Sequence, residues 1–149
     1  MLLAALGPQM LRLCGQRAAG SILANTGPNT IAEHIKPELD AAAQAAGRPQ
    51  PRIVGGPMGV HVTSDVEAAR TRAKRKVGFY AEMPSYRAML DREGLSGAEQ
   101  LVLIGSEDDV LDGIRRYEEA GVTDLYLCDL SSRADRERTR GLIQHAVRG

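Results

Sequence analysis

The chain has 149 residues, 43% of them hydrophobic and 26% charged, which is the composition of one globular domain and excludes an extended disordered segment. Lys and Arg total 19, as do Asp and Glu, so no net charge draws the chain toward nucleic acid or anionic lipid. Trp is absent, and four Tyr and one Phe imply an aliphatic, Ala-rich core without a platform for stacked bases.

Leu2 to Leu6 reads as a short strand, Gly7-Pro8 as a tight turn, and Met10, Leu13 and Cys14 as the start of a helix. A second strand over Ser21 to Ala24 is followed by the turn Asn25-Thr26-Gly27-Pro28-Asn29. Ile31, Ile35, Leu39, Ala42 and Ala46 then recur at helical spacing. Arg52 to Thr63 is a strand interrupted by small residues, with a bulge expected near Pro57. Ser64-Asp65-Val66-Glu67 has the form of a capping box, which predicts a helix from Asp65 with Val66, Ala69, Ala73, Val77 and Tyr80 inward. Met83-Pro84-Ser85 breaks that helix, and a further helical piece from Tyr86 to Arg92 ends at Gly94.

Leu101 to Ile104 is short and apolar, and Gly105-Ser106-Glu107-Asp108-Asp109 opens another helix with acids in its first turn, where the dipole favours them. Ala120 to Asp124 ends that helix and leads into the apolar run Leu125 to Leu130, with a last helix over Ala134 to Val147. Strands alternating with helices imply right-handed crossovers and a parallel sheet, an α/β class built of β/α units. Four principal strands make either a small open sandwich or half of a barrel, since closure typically takes about eight.

Cys14 and Cys128 match no metal spacing and are expected to be buried, reduced thiols, with a disulfide between them as the alternative. The apolar start Met1 to Leu6 lacks a basic leader and stops at Gly7-Pro8, so neither a signal peptide nor a membrane span is read there, and a cytoplasmic protein is the expectation. His34, His61 and His145 show no metal-ligand spacing and read as packing or surface residues. The run Arg70 to Lys76 is the solvated side of an amphipathic helix.

Leu3 to Leu13, Ala18 to Leu23, Thr26 to Ile35, Pro84 to Gly94 and Ala120 to Asp124 together resemble the carboxyl-terminal half of the luciferase-like monooxygenase family, especially its deazaflavin-dependent oxidoreductase branch. The resemblance runs through nearly all of residues 1–149. It implies strands five to eight of a TIM-type barrel, a single half-barrel domain, and hydride transfer or monooxygenation with a deazaflavin, coenzyme F420, or with FMN. It departs from the family at Ala19-Gly20, where members often carry Asp-Gly. A half barrel leaves strand edges and an interior flank open. The chain is therefore expected to self-associate or to pair with a missing amino-terminal half, and a truncated product is favoured because the first strand begins at Leu2.

Two turns are candidate sites. Ala5, Leu6, Gly7, Pro8, Gln9 and Met10 form a strand-to-helix turn whose amides and dipole suit a phosphate, although Gly and Pro there also fit any β/α turn. The resemblance implies that this turn contacts the cofactor's phosphate-bearing tail. Asn25, Thr26 and Gly27, after the next strand, are expected to line a substrate or cofactor pocket, with helix capping by Asn29 or Thr30 as the alternative. Tyr86 is expected to pack away from the catalytic end. No catalytic residue and no metal is assigned, because in such enzymes the cofactor carries the redox chemistry. The alternative reading is a non-catalytic half-barrel that serves in assembly.

Overall fold

A computed structural model describes residues 1–148. Its elements run β1 (Leu2–Ala4), α1 (Pro8–Arg17), β2 (Gly20–Ile22), α2 (Pro28–Thr30), a π turn (Ile31–Ile35), α3 (Lys36–Ala45), β3 (Arg52–Gly55) and β4 (Gly59–Val62). There follow α4 (Val66–Val77), a 3-10 turn (Gly78–Glu82), α5 (Pro84–Glu93), a second 3-10 turn (Ala98–Leu101), β5 (Val102–Gly105), α6 (Glu107–Glu119), β6 (Asp124–Leu125) and α7 (Arg136–Arg148).

β1, β2, β3 and β6 form one sheet in that order, every pair parallel. Strands that neighbour one another in chain order, joined by helical crossovers, are the arrangement of consecutive barrel strands. Between β3 and β6 the chain makes an excursion that adds a second parallel pair, β4 with β5. The short apolar run around Leu101–Ile104 thus becomes a paired strand of this smaller sheet.

The expected bulge near Pro57 is present as a change of register. Val54 faces Asp124 while Val60 faces Asp129, so the 54–60 segment carries one residue more than the 124–129 segment beside it. Tyr126 N donates to Gly55 O before the bulge and Leu130 N donates to Val60 O after it. One extra residue reverses which side chains point to which face, so the long strand serves both sheets.

The main core lies between the first sheet and α1 and α3, built from Leu11, Cys14, Leu23, Ile31, Ile35, Leu39 and Ile53. Gly15 is where α1 meets α3, since a Cβ there would lie 2.7 Å from both Ala42 Cβ and Leu39 O. Val60, Val62, Val110, Ile114 and Leu142 pack the second sheet against α6 and α7. Pro37 explains the π turn: it cannot donate to the carbonyl four residues back and its ring crowds that carbonyl. The helix widens instead, and Lys36 N reaches Ile31 O.

Two local expectations are corrected. Asp65, not Ser64, caps α4, its side chain accepting from Ala68 N at 3.2 Å, so the helix starts at Val66. Cys128 is exposed rather than buried, although both thiols are free as expected. Among the described residues, no helix is long and apolar enough to cross a membrane.

Candidate active site

The first sheet has one covered face and one open face. Leu3, Ser21 and Ile53 lie in one register row and face the helices, Ser21 and Ile53 being buried. The next row, Ala4, Ile22 and Val54, points the other way. There Ala4 is exposed and Ile22 keeps 44% of its surface in water. Parallel strands normally have both faces covered. An uncovered apolar row, on a sheet whose outer strand β1 pairs only with β2, is what one side of an opened barrel presents.

At the carboxyl ends of these strands the open face deepens into a concavity of about 350 Å³ lined by Ala4, Leu6, Ile22, Leu23, Ala24, Tyr86 and Tyr126. Tyr126 is fixed there by its hydroxyl, which donates to Leu23 O at 2.9 Å. Tyr86 also reaches this wall, which corrects the expectation that it packs away from the strand ends. After β4, α4 and a 3-10 turn, α5 brings Tyr86 back to the strand ends.

The turn Ala5 to Met10 flanks the concavity. Ala5 is buried and Leu6 half-buried, while Gly7, Pro8, Gln9 and Met10 are exposed. The carbonyls entering the turn are engaged: Ser21 Oγ donates toward Ala5 O at 3.2 Å, and His34 Nε2 meets Leu6 O at 3.1 Å. Its amides are not. No side chain caps α1, and the first intrahelical bond is from Leu11 N to Gly7 O at 2.9 Å, which leaves the amides of Gln9 and Met10 free. A Cβ at Gly7 would meet nothing within 4 Å, so the space above the turn is open. Carbonyls occupied and amides free make the turn attractive to an anion.

The turn Asn25 to Thr30 is built oppositely. Asn25 is buried in the left-handed region at φ 52, with Oδ1 unpartnered. Thr26 Oγ1 donates to Ala24 O at 2.9 Å. Gly27 is the cap position, and neither Asn29 nor Thr30 caps the helix as the alternative reading expected. The cap comes from α5: Glu93 accepts from Asn29 N at 3.2 Å, from Thr30 N at 2.7 Å and from Thr30 Oγ1 at 2.7 Å. The structure thus brings Leu6 into the concavity's lining, with Gly7 to Met10 following it in the chain and outside the lining, while Asn25, Thr26 and Gly27, which follow the lining residue Ala24, are buried and also outside it.

The histidines remain apart. His61 is buried on β4 and meets Asp135 Oδ2 at 2.8 Å. Ser132 and His61 together hold the Asp135 carboxyl below its usual range. No cluster of His, Cys, Asp and Glu suited to a metal occurs among the described residues.

A ligand with a flat apolar ring and an anionic tail fits these residues: the concavity is apolar, and the turn that follows its lining residue Leu6 starts α1 with uncapped amides. The turn from Ala5 to Met10 has no Lys or Arg, so backbone dipoles alone would meet the anion.

The chain belongs to the luciferase-like monooxygenase family, whose model matches residues 1–124. Among solved structures it is similar to the coenzyme F420 dependent tetrahydromethanopterin reductase from Methanopyrus kandleri, at 21% identity and TM-score 0.64, covering 95% of this chain and 48% of that one. It is similar to an F420-dependent secondary alcohol dehydrogenase solved with an F420-acetone adduct, at 15% identity and TM-score 0.72, covering 97% and 46%. A third is the EDTA monooxygenase from Chelativorans sp. BNC1, at 17% identity and TM-score 0.60, covering 99% and 44%. The chain therefore spans about half the length of each. No curated protein matches it in sequence.

Proposed function

We propose that this chain is the carboxyl-terminal part of a luciferase-like oxidoreductase that binds coenzyme F420, or in second place FMN, once its open face is covered. One observation carries the reading: Ala4 and Ile22 of the uncovered row line, with Leu6, a concavity at the strand ends, and the turn after Leu6 starts α1 with uncapped amides. The cofactor, when bound, supplies hydride transfer or oxygen activation. The chain's own residues bind and orient. Leu6, Ile22 and Tyr126 offer an apolar wall to a ring, and the amides of Gln9 and Met10 hold an anionic tail. The covering partner, a second copy or an amino-terminal half, excludes water from the ring. The substrate is a small molecule, and the setting is cytoplasmic.

Titration of the purified chain with F420 and with FMN, followed by fluorescence and by sizing, tests this. Saturable binding that grows with assembly of a larger species is expected. No binding at high cofactor concentration, in any assembly state, overturns it. The non-catalytic assembly reading is favoured by a different feature, the 44% exposure of both Met10 and Leu13 on the outer side of α1. That reading predicts assembly without cofactor.

A further inference from the structure

A second cleft, of about 160 Å³, lies between the start of α2, the end of α5, the second 3-10 turn, β5 and α6. It shares no lining residue with the concavity at the strand ends. We infer that this cleft is a binding site for a short-chain monocarboxylate, whose oxygens are met by Tyr117 and Arg116 and whose alkyl part lies on Leu95, Leu101 and Leu103.

The hydrogen-bonding groups of the lining call for an acceptor. Glu93 is engaged at α2, where its carboxylate accepts from Asn29 N, Thr30 N and Thr30 Oγ1. The Gln100 side-chain oxygen is engaged too, accepting from Ser96 N at 2.8 Å and from Ser96 Oγ and Gly97 N at 3.0 Å each. What remains on the wall is donors. Tyr117 is 2% exposed, yet its hydroxyl makes no hydrogen bond among the described residues and is not sealed from solvent. Burial, and after it the charge of Glu93, pushes the Tyr117 hydroxyl up, so it keeps its proton. A donor held in such a place without an acceptor costs stability, and an acceptor can reach it through the cleft.

Charge and size narrow the class. Arg116 is exposed, is the one cation among the cleft's described lining residues, and enters none of the ion pairs found among the described residues. A guanidinium favours a carboxylate over a neutral acceptor, while the charge of Glu93 opposes a second negative group on the same ligand. Gly113 carries no side chain where α6 passes the cleft. A Cβ there would lie 2.5 Å from Leu103 Cδ2, so the bare α-carbon is what lets Leu103 lie against the helix. A cavity of roughly 150 Å³ accepts benzene, so about six non-hydrogen atoms fit this one, the size of butyrate. The site stands apart from the cofactor reading, since neither the concavity nor the turn at Gly7 takes part in it.

Butyrate, butyramide and butylamine, titrated into the full chain at constant ionic strength and followed by amide chemical shifts, test the site. Butyrate should shift Leu103 and Gly113 saturably, with half-saturation in about the millimolar range for a ligand of this size. Butyramide should bind about tenfold or more weakly, and butylamine not at all. Tyr117→Phe removes a hydroxyl that bonds to nothing in the protein. It should therefore keep the native thermal midpoint while its butyrate affinity falls about tenfold or more. Arg116→Gln should bring butyrate down to the affinity of butyramide. Silence of Leu103 and Gly113 toward butyrate overturns the site, as does equal binding of all three compounds or undiminished binding in Tyr117→Phe. If Tyr117→Phe does not fold, Arg116→Gln decides, and undiminished butyrate binding there overturns the site. Failure of F420 and FMN to bind counts against the cofactor reading and leaves the cleft standing.

Discussion

His34 Nε2 stands 3.1 Å from the Leu6 carbonyl oxygen, so the wide turn that Pro37 forces on the second helix is fastened to the end of the first strand. His34→Ala removes the partner of that carbonyl. It should cost about 1 kcal/mol, read as a lower urea midpoint, and an unchanged midpoint would show that the contact holds nothing.

The two faces of the first sheet should respond unequally to truncation. Ile53 is 2% exposed against the helices and Ile22 is 44% exposed on the open side. In the isolated chain, Ile53→Ala is expected to cost about 2–5 kcal/mol and Ile22→Ala less than about 1 kcal/mol. Denaturant unfolding compares them. Equal losses would mean that the Ile22 face is already covered in solution.

Gly15 and Gly7 make a second contrasting pair. Gly15→Ala pushes a methyl into Ala42 and the Leu39 carbonyl where α1 crosses α3, and should destabilise by about 1–3 kcal/mol. Gly7→Ala, at φ −81 with open space above, should leave the thermal midpoint within about 2 °C of native. If the cofactor reading holds, it should nevertheless weaken cofactor binding.

Acid should act through the pair that joins β3 to β6. Arg52 and Thr123 donate to Asp124 and hold its carboxyl at about 2. A carboxyl depressed in the folded state stabilises above its unfolded value near 4, and that stabilisation disappears as pH falls through the folded value. Between about pH 5 and about pH 2.5, native protein should lose more stability than Asp124→Asn. Parallel loss in both would remove the pair from the account.

At the second sheet, Asp135→Ala leaves the buried His61 ring nitrogen without its carboxylate. The expected cost is about 1–3 kcal/mol, and a double-mutant cycle with His61→Ala should recover part of it. Full additivity would show that the two side chains are not coupled.

Much of the layout was legible because short strands, caps and turns are local. Gly7-Pro8 marked the first turn, Gly94 ended α5 in the left-handed conformation, and Ser106 capped α6 as its acidic first turn implied. The small residues around Pro57 signalled the bulge. What escaped the sequence is long-range. Nothing in the periodicity of α5 shows that Glu93 caps a helix start 63 residues earlier, or that Tyr86 reaches the concavity beside Tyr126. His61 and Asp135 are 74 residues apart, and only folding makes them a pair. The π turn was within reach of local reasoning, since Pro37 lies inside the periodic run Ile31 to Ala46 and a continuous α-helix cannot pass it without adjustment.

The surplus residue between Val54 and Val60 sets a phase for everything beyond it. Val60 and Val62 turn inward and His61 meets Asp135 only because the strand changes parity before Gly59. Adding or removing one residue between Gly55 and Gly59 would transpose those roles, turning the two valines to the face that His61 occupies and His61 toward α6 and α7, whereas a change of two would restore the alternation. Tolerance for length at this joint should therefore follow even and odd numbers, with side-chain identity secondary.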